Sequence, residues 1–241
     1  MAGRPVAPED LEGVPTIELL TELKRRHHLL GREPAHVAVL GPPCVGKHTQ
    51  TDGLRRGFGI CRITAAELTG PPPGSSGQAS GSVDERAMSN LSKLLDRPQC
   101  RRGFVLEGFP FTVPQASRLQ EELERRKTPL DAVVFLEAPE DALMERCRGR
   151  LFHPASGRLY HDQLKPPIDE GLDDYTGDAL LRPPYEEEKF RASWQLFQKD
   201  SDLLRQFFSR KGLVRNVDAA GSVEQVGAAC VESISRKKGE S

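Results

Sequence analysis

Residues 41–50 read GPPCVGKHTQ. Gly41, Gly46 and Lys47 keep the spacing Gly-x-x-x-x-Gly-Lys, in which backbone N–H groups turn inward around phosphate oxygens and the lysine adds a point charge. Gly41, Pro42, Pro43, Cys44, Val45, Gly46, Lys47, His48 and Thr49 are therefore candidates for holding ATP, with Lys47 at the β and γ phosphates. His48 stands where the general pattern has Ser or Thr, and Cys44 interrupts a stretch that is often glycine. If Cys44 takes a positive φ, its Cβ costs about 1–2 kcal/mol. A thiol there, at a helix N-terminus beside Lys47, should be acidic and sensitive to oxidation. The competing reading is a tight turn with a surface lysine. The apolar run HVAVL before the loop and a helical pattern starting near Lys47 favour phosphate, because a helix N-terminus adds partial positive charge.

The elements that must position this loop alternate along the chain. Short apolar runs at 36–40, 59–63, 104–108, 131–137 and 212–217 read as strands. Helical patterns occupy 114–127, 139–150 and 186–211. Such alternation implies a parallel sheet covered on both faces, an α/β fold. Residues 16–30 carry Ile17, Leu19, Leu20 and Leu23 at helical spacing, with Thr16 as N-cap. The Pro/Gly/Ser stretch 69–82 reads as a mobile loop, 151–185 as a compact flap, and the tail RKKGES as frayed.

The chain has 241 residues, a formal charge of −1 and 37% hydrophobic residues, enough for one sizeable core. A near-neutral balance gives no general pull toward nucleic acid or an anionic membrane. Cys44, Cys61, Cys100, Cys147 and Cys230 are scattered, so a reducing compartment is expected, with neither disulfides nor zinc. No apolar run is long enough to span a bilayer, and the first residues lack an apolar signal core. A cytoplasmic monomer is expected.

Four segments in order carry a resemblance. GPPCVGKHTQ resembles the GxPGxGKGTQ loop of adenylate kinases. GFVLEGFPFTVPQA (103–116) is similar to that family's GF-L-DGFPRT-PQA segment, RGRLFHPASGRLYHDQLKPP (148–167) to its lid, and DDYTGDALLR (173–182) to its DD-TGE-L-R segment. VPTIELLTELKRR (14–26) resembles the N-terminal extension of some eukaryotic members. The resemblance implies a P-loop kinase three-layer fold with a roughly five-stranded parallel sheet. It also implies a helical extension over 1–30, a kinase-like domain over 31–241, a reduced nucleoside-monophosphate segment over 64–97 and a lid over 150–186.

The family's chemistry is Mg-ATP plus AMP in reversible exchange with two ADP, so ATP, Mg²⁺ and AMP or another nucleoside monophosphate are the implied ligands. Lys47, Arg150 and Arg182 are then the implied catalytic residues. Arg146, Arg150, Leu159 and Tyr160 join the loop around ATP. Thr64, Gly108, Phe109, Pro110, Gln115 and Arg182 surround AMP. Thr49 and Glu107 serve Mg²⁺, the latter through water. Arg182 reaches its position only with a one-residue gap; otherwise Pro183 stands there. His153, Ser156, Arg158, Tyr160 and His161 would line a cysteine-free, zinc-free lid, its histidines structural rather than ligands.

The departures cluster on the acceptor side. Phe111, Gly70 and Ser193 stand where the family has arginines, and Glu107 replaces an aspartate. Each charge-assisted phosphate contact contributes about 1.5–3 kcal/mol, so losing several would cost on the order of 10³-fold in rate. Arg62, Arg101 and Arg102 are near in sequence and could compensate. The implied activity is therefore low. The alternatives are a catalytically impaired nucleotide-binding pseudokinase with a regulatory role, and a kinase with a different acceptor.

Overall fold

The computed structural model describes residues 16, 17, 20, 23, 34–70, 83–182 and 187–235. Among the described residues there are seven strands: β1 (Ala35–Leu40), β2 (Cys61–Thr64), β3 (Gly103–Glu107), β4 (Ala132–Glu137), β5 (Arg150–Phe152), β6 (Leu159–His161) and β7 (Val214–Asp218). Seven α-helices lie among them: α1 (Lys47–Phe58), α2 (Ala65–Thr69), α3 (Val83–Leu95), α4 (Val113–Arg125), α5 (Glu140–Arg148), α6 (Glu187–Ser209) and α7 (Val223–Ser235). Of the expected N-terminal helix, Thr16, Ile17, Leu20 and Leu23 are helical and exposed, and the remainder lies outside the described residues. Most of the Pro/Gly/Ser stretch and the tail lie outside them too.

Five strands form a parallel sheet in the order β2-β3-β1-β4-β7. Alternate side chains feed two cores, because a strand turns successive residues to opposite faces. Ala38, Leu40, Ile63, Leu106, Val133 and Phe135 pack under α3, α4 and the Leu204–Phe208 part of α6. Val37, Val39, Val105, Val134 and Leu136 pack under α1, α5 and α7 through Leu54, Phe58, Leu143, Met144 and Val226. Burial on both faces explains why these strands read as unbroken apolar runs. Three layers result.

The chain leaves β1 for the β2 side through α1 and crosses from β3 to β4 through α4. The strand order therefore reverses at β1, and a crevice opens at the carboxyl ends of β1 and β3, where ligands bind in such sheets. Register places Val39 and Thr64 on either side of Glu107 at that edge. Outside the sheet, β5 and β6 pair antiparallel, and isolated bridges link Phe152 to Leu181, His161 to Lys165 and Leu172 to Ala179. Among the described residues no helix is long and apolar enough to cross a membrane.

Candidate functional site

The loop between β1 and α1 is built around two glycines with different jobs. A Cβ at Gly41 would sit 2.8 Å from Val45 Cγ1 and 3.0 Å from Leu136 O, so no side chain fits there. Gly46 takes φ 95°, a left-handed conformation that starts α1 without a side-chain cap. Cys44 also has positive φ, 61°. The Lys47 ammonium folds back over the loop and donates to Gly41 O at 2.8 Å and Pro42 O at 2.7 Å. Its stem passes Gly108, where a Cβ would lie 3.7 Å from Lys47 Cε. Burial pushes the Lys47 pKa down to about 8; the Glu107 carboxylate opposes that shift and the Arg150 guanidinium adds to it. Lys47, Glu107, Gly108 and Arg150 thus share one neighbourhood.

Glu107 is held by three side chains from two elements, α1 and β2. Thr51 Oγ1 donates to Glu107 Oε2 at 2.7 Å, His48 Nδ1 lies 3.6 Å from Oε1, and Arg62 Nε lies 3.8 Å from Oε2. Burial alone would raise the Glu107 pKa, but the facing His48 imidazole, the Thr51 hydrogen bond and the Arg62 guanidinium outweigh it and hold the carboxyl below its ordinary value. The glutamate is therefore an ionised oxygen donor, a fit to a hard divalent cation that keeps water and phosphate as its other ligands. Thr49 is exposed on the first turn of α1. Thr51, the hydroxyl that meets Glu107, was not anticipated from the sequence. It lies four residues after Lys47, hence on the same helical face, and that spacing was the available signal. Among the described residues no three His, Cys, Asp or Glu side chains gather into a metal-ion group.

On the acceptor side, Phe109 is buried and precedes a cis peptide to Pro110, while Phe111 is 45% exposed and meets Phe109 edge-on at 6.0 Å. Gln115 is buried in the first turn of α4. Its amide oxygen accepts from Phe111 N–H at 2.8 Å, and its Nε2 donates to Asp84 Oδ1 at 2.7 Å. Thr64 caps α2 in a reciprocal box with Glu67, which commits its hydroxyl locally. Of the three nearby arginines, only Arg62 reaches the crevice. Arg101 and Arg102 precede β3, at the opposite end of the sheet from Glu107. Ser193 lies in α6, where Arg191 pairs with Glu187 and Glu140 instead.

Residues 150–182 are organised around Asp173, whose side chain is fully buried. It accepts from Arg158 Nε and Nη2 at 2.7 and 2.5 Å, from the Tyr160 hydroxyl at 2.9 Å and from the Thr176 hydroxyl at 3.0 Å. The Tyr160 hydroxyl is consequently turned into this knot. Leu159 is half-buried, and its carbonyl accepts from Lys165 Nζ at 3.1 Å. His153 is buried between Ser156 and Asp178, whereas His161 sits beside Asp162. Arg182 donates to Arg148 O and, at 3.1 Å, to Asp162 Oδ2, at the base of the insertion. Arg146 reaches Ala220 O at 3.4 Å, between β7 and α7.

The cysteines correct the expectation of no disulfides. Cys44 is bonded to Cys147 and Cys61 to Cys100, across 103 and 39 residues, while Cys230 is free and buried. Scattered spacing hid both pairs because the sheet, not local sequence, brings their partners together. Cys44 is therefore not the acidic free thiol expected.

A cleft of about 400 Å³ flanks Pro42, lined by Glu137, Asp202, Asp218 and Arg205 among others. Three carboxylates suit it poorly to a triphosphate.

A family model described as Adenylate kinase matches residues 39–213. The chain is 32% identical over 234 residues to "Adenylate kinase 4" of Oryza sativa subsp. japonica, covering 92% of this chain and 96% of that one. It is 31% identical over 232 residues to "Adenylate kinase 4" of Arabidopsis thaliana, covering 91% and 94%. Against "Adenylate kinase" of Yarrowia lipolytica it is 34% identical over 203 residues, covering 79% and 81%.

Proposed function

We propose, from the premise that this chain belongs to the adenylate kinase family and is a nucleoside monophosphate kinase, that it passes the γ-phosphoryl group of ATP to AMP at a low rate. The observation that carries the reading is the Lys47 ammonium, folded among loop carbonyls next to Glu107 and within the field of Arg150.

Phosphoryl transfer asks a protein mainly for positioning and positive charge. Lys47 would exchange its two carbonyl contacts for the β and γ phosphate oxygens. Loop N–H groups and the α1 N-terminus would hold the remaining oxygens. Arg150 and Arg182, at the start and end of the insertion, would add charge when it covers the nucleotide, and Arg146 would flank the adenine. Residues 150–186 are assigned as that lid, 64–97 as the acceptor segment, 31–241 as the kinase-like domain and 1–30 as a helical extension. Gln115 would read the acceptor base. Mg²⁺ would be held by Glu107 through water near the Thr49 hydroxyl, and it supplies neutralisation of phosphate charge. Phe111 offers the acceptor phosphate no donor, which is why the rate is low.

Turnover of Mg-ATP with a panel of nucleoside monophosphates tests this. ADP formation that needs AMP and disappears in Lys47→Ala is expected. ATP binding without turnover on any acceptor would overturn the reading in favour of a pseudoenzyme. A monomeric state and cytoplasmic residence belong to the same proposal, for sedimentation and cell fractionation to check. Persistent disulfides favour oxidising compartments, so the fractionation is decisive.

A further inference from the structure

We infer that His48 and Arg62 are positioning residues for Glu107, and that the histidine and the glutamate function as one unit. The inference rests on the phosphotransferase reading and goes beyond it, because the phosphate-loop motif calls for neither a histidine at position 48 nor the strand residue Arg62.

Three elements converge on this carboxylate. His48 and Thr51 come from α1, Arg62 from β2 and Glu107 from the end of β3. His48 Nδ1 faces Oε1 at 3.6 Å, while Oε2 accepts from Thr51 at 2.7 Å and faces Arg62 Nε at 3.8 Å. Arg62 Nη1 lies 3.3 Å from each ring nitrogen of His48, so guanidinium and imidazole steady each other. Strand register supplies the reach. Thr64 pairs with Glu107 and Arg62 with Val105, so Arg62 stands two residues upstream on the face that meets α1.

Two enlargements meet at this point: an imidazole where the resembled loop has glycine, and a glutamate where the resembled strand has aspartate. The glutamate adds a rotatable bond, whose freedom must be removed before its oxygens can be placed. With His48 and Thr51 on its two oxygens, the longer carboxylate is fixed in direction. Groups that orient a metal-serving carboxylate typically affect affinity or activity by about 10- to 100-fold.

The test is a cycle of wild type, His48→Gly, Glu107→Asp and the double variant. Each is followed by calorimetric ATP binding with and without Mg²⁺, by turnover with AMP, and by melting temperature. Wild-type protein that binds no Mg-ATP defeats the phosphotransferase reading itself, before any variant is compared. Given a working wild type, each single change should lower kcat about 10-fold, and His48→Gly should shrink the gain in ATP affinity that Mg²⁺ confers. The double variant should be no worse than the poorer single. Losses that multiply to about 100-fold, with the Mg²⁺ gain intact in His48→Gly, overturn the inference. Should His48→Gly fail to fold, His48→Asn decides: an amide donor near the Nδ1 position should keep most of the rate, and a loss of 10-fold or more would refute the pairing.

Discussion

The sulfur atoms of Cys44 and Cys147 are bonded, which fastens the phosphate loop to the last turn of α5, three residues ahead of Arg150. The loop that would grip ATP and the helix that leads into the 150–182 insertion are therefore one covalent body.

Opening that bond should destabilise the fold. A cross-link closing 103 residues contributes about 4–5 kcal/mol in the chain-entropy picture. Cys147→Ser should then lower the melting temperature by roughly 10 °C in a domain of this size. Dithiothreitol should lower it further by opening Cys61–Cys100 as well. Free thiols at positions 44 and 147 in unreduced protein, found by peptide mass mapping, would contradict this.

Lys47 should set the alkaline limb of activity. Burial lowers its pKa from 10.5 to about 8, so in the free protein the ammonium is lost as pH rises through that value. The kcat/KM for ATP should then fall about tenfold per pH unit above 8, and Lys47→Arg should keep its residual rate flat to pH 10. The stability effect has the opposite sign. Between 8 and 10.5 the unfolded chain holds this proton more tightly, so stability rises with pH across that window, a slope that Lys47→Met should remove.

Restoring a guanidinium at the acceptor side should raise activity. Phe111 is nearly half exposed and only its ring edge contacts Phe109, so Phe111→Arg should fold normally. One charge-assisted phosphate contact corresponds to roughly a 10- to 100-fold gain in kcat/KM for AMP, with KM for ATP unchanged. Steady-state kinetics at fixed Mg-ATP checks this, and no gain would mean that the short acceptor segment, not the missing cation, limits the rate.

Asp173→Ala should loosen the insertion and leave the sheet intact. It strands Arg158, Tyr160 and Thr176 without their common acceptor. Amide exchange over 150–182 should accelerate while β1, β3 and β4 stay protected. Arg158 holds the Asp173 carboxyl far below the usual range, so its contribution is present above about pH 4 and fades only as pH falls through the lower, folded value. Wild-type protection of the insertion should survive to about pH 3.

Much of this molecule was legible because two signals coincide at β1. An apolar run buried on both faces ends in a glycine-framed loop, and periodicity and loop chemistry each point to the same place. The α4, α5 and α6 patterns were equally clear, with boundaries within a few residues of those found. α7 was passed over because small residues and cysteine dilute its apolar face, whose buried members are Val226 and Cys230. The candidate site divides differently. Lys47 and Glu107 are neighbours because each follows a central strand to the crevice, Lys47 after β1 and Glu107 at the end of β3. Thr64 is held by Glu67 in a capping box whose Thr-x-x-Glu spacing was the available signal, whereas Tyr160 is held by Asp173, a partner that no linear pattern reveals. Arg62, Thr51 and both cysteine pairs depend on which strands and helices are neighbours, and that is set by sheet order.

Every hydrogen-bond partner of the Asp173 side chain comes from residues 158–176, and none from the sheet. The segment between Arg150 and Arg182 is consequently braced from within, and among its bonds to the preceding helix end are Asp162 N–H to Gly149 O and Arg182 to Arg148 O. Altering the bonds around Arg148 and Arg182 would therefore change how firmly this segment is fastened to the body without unpicking the knot inside it.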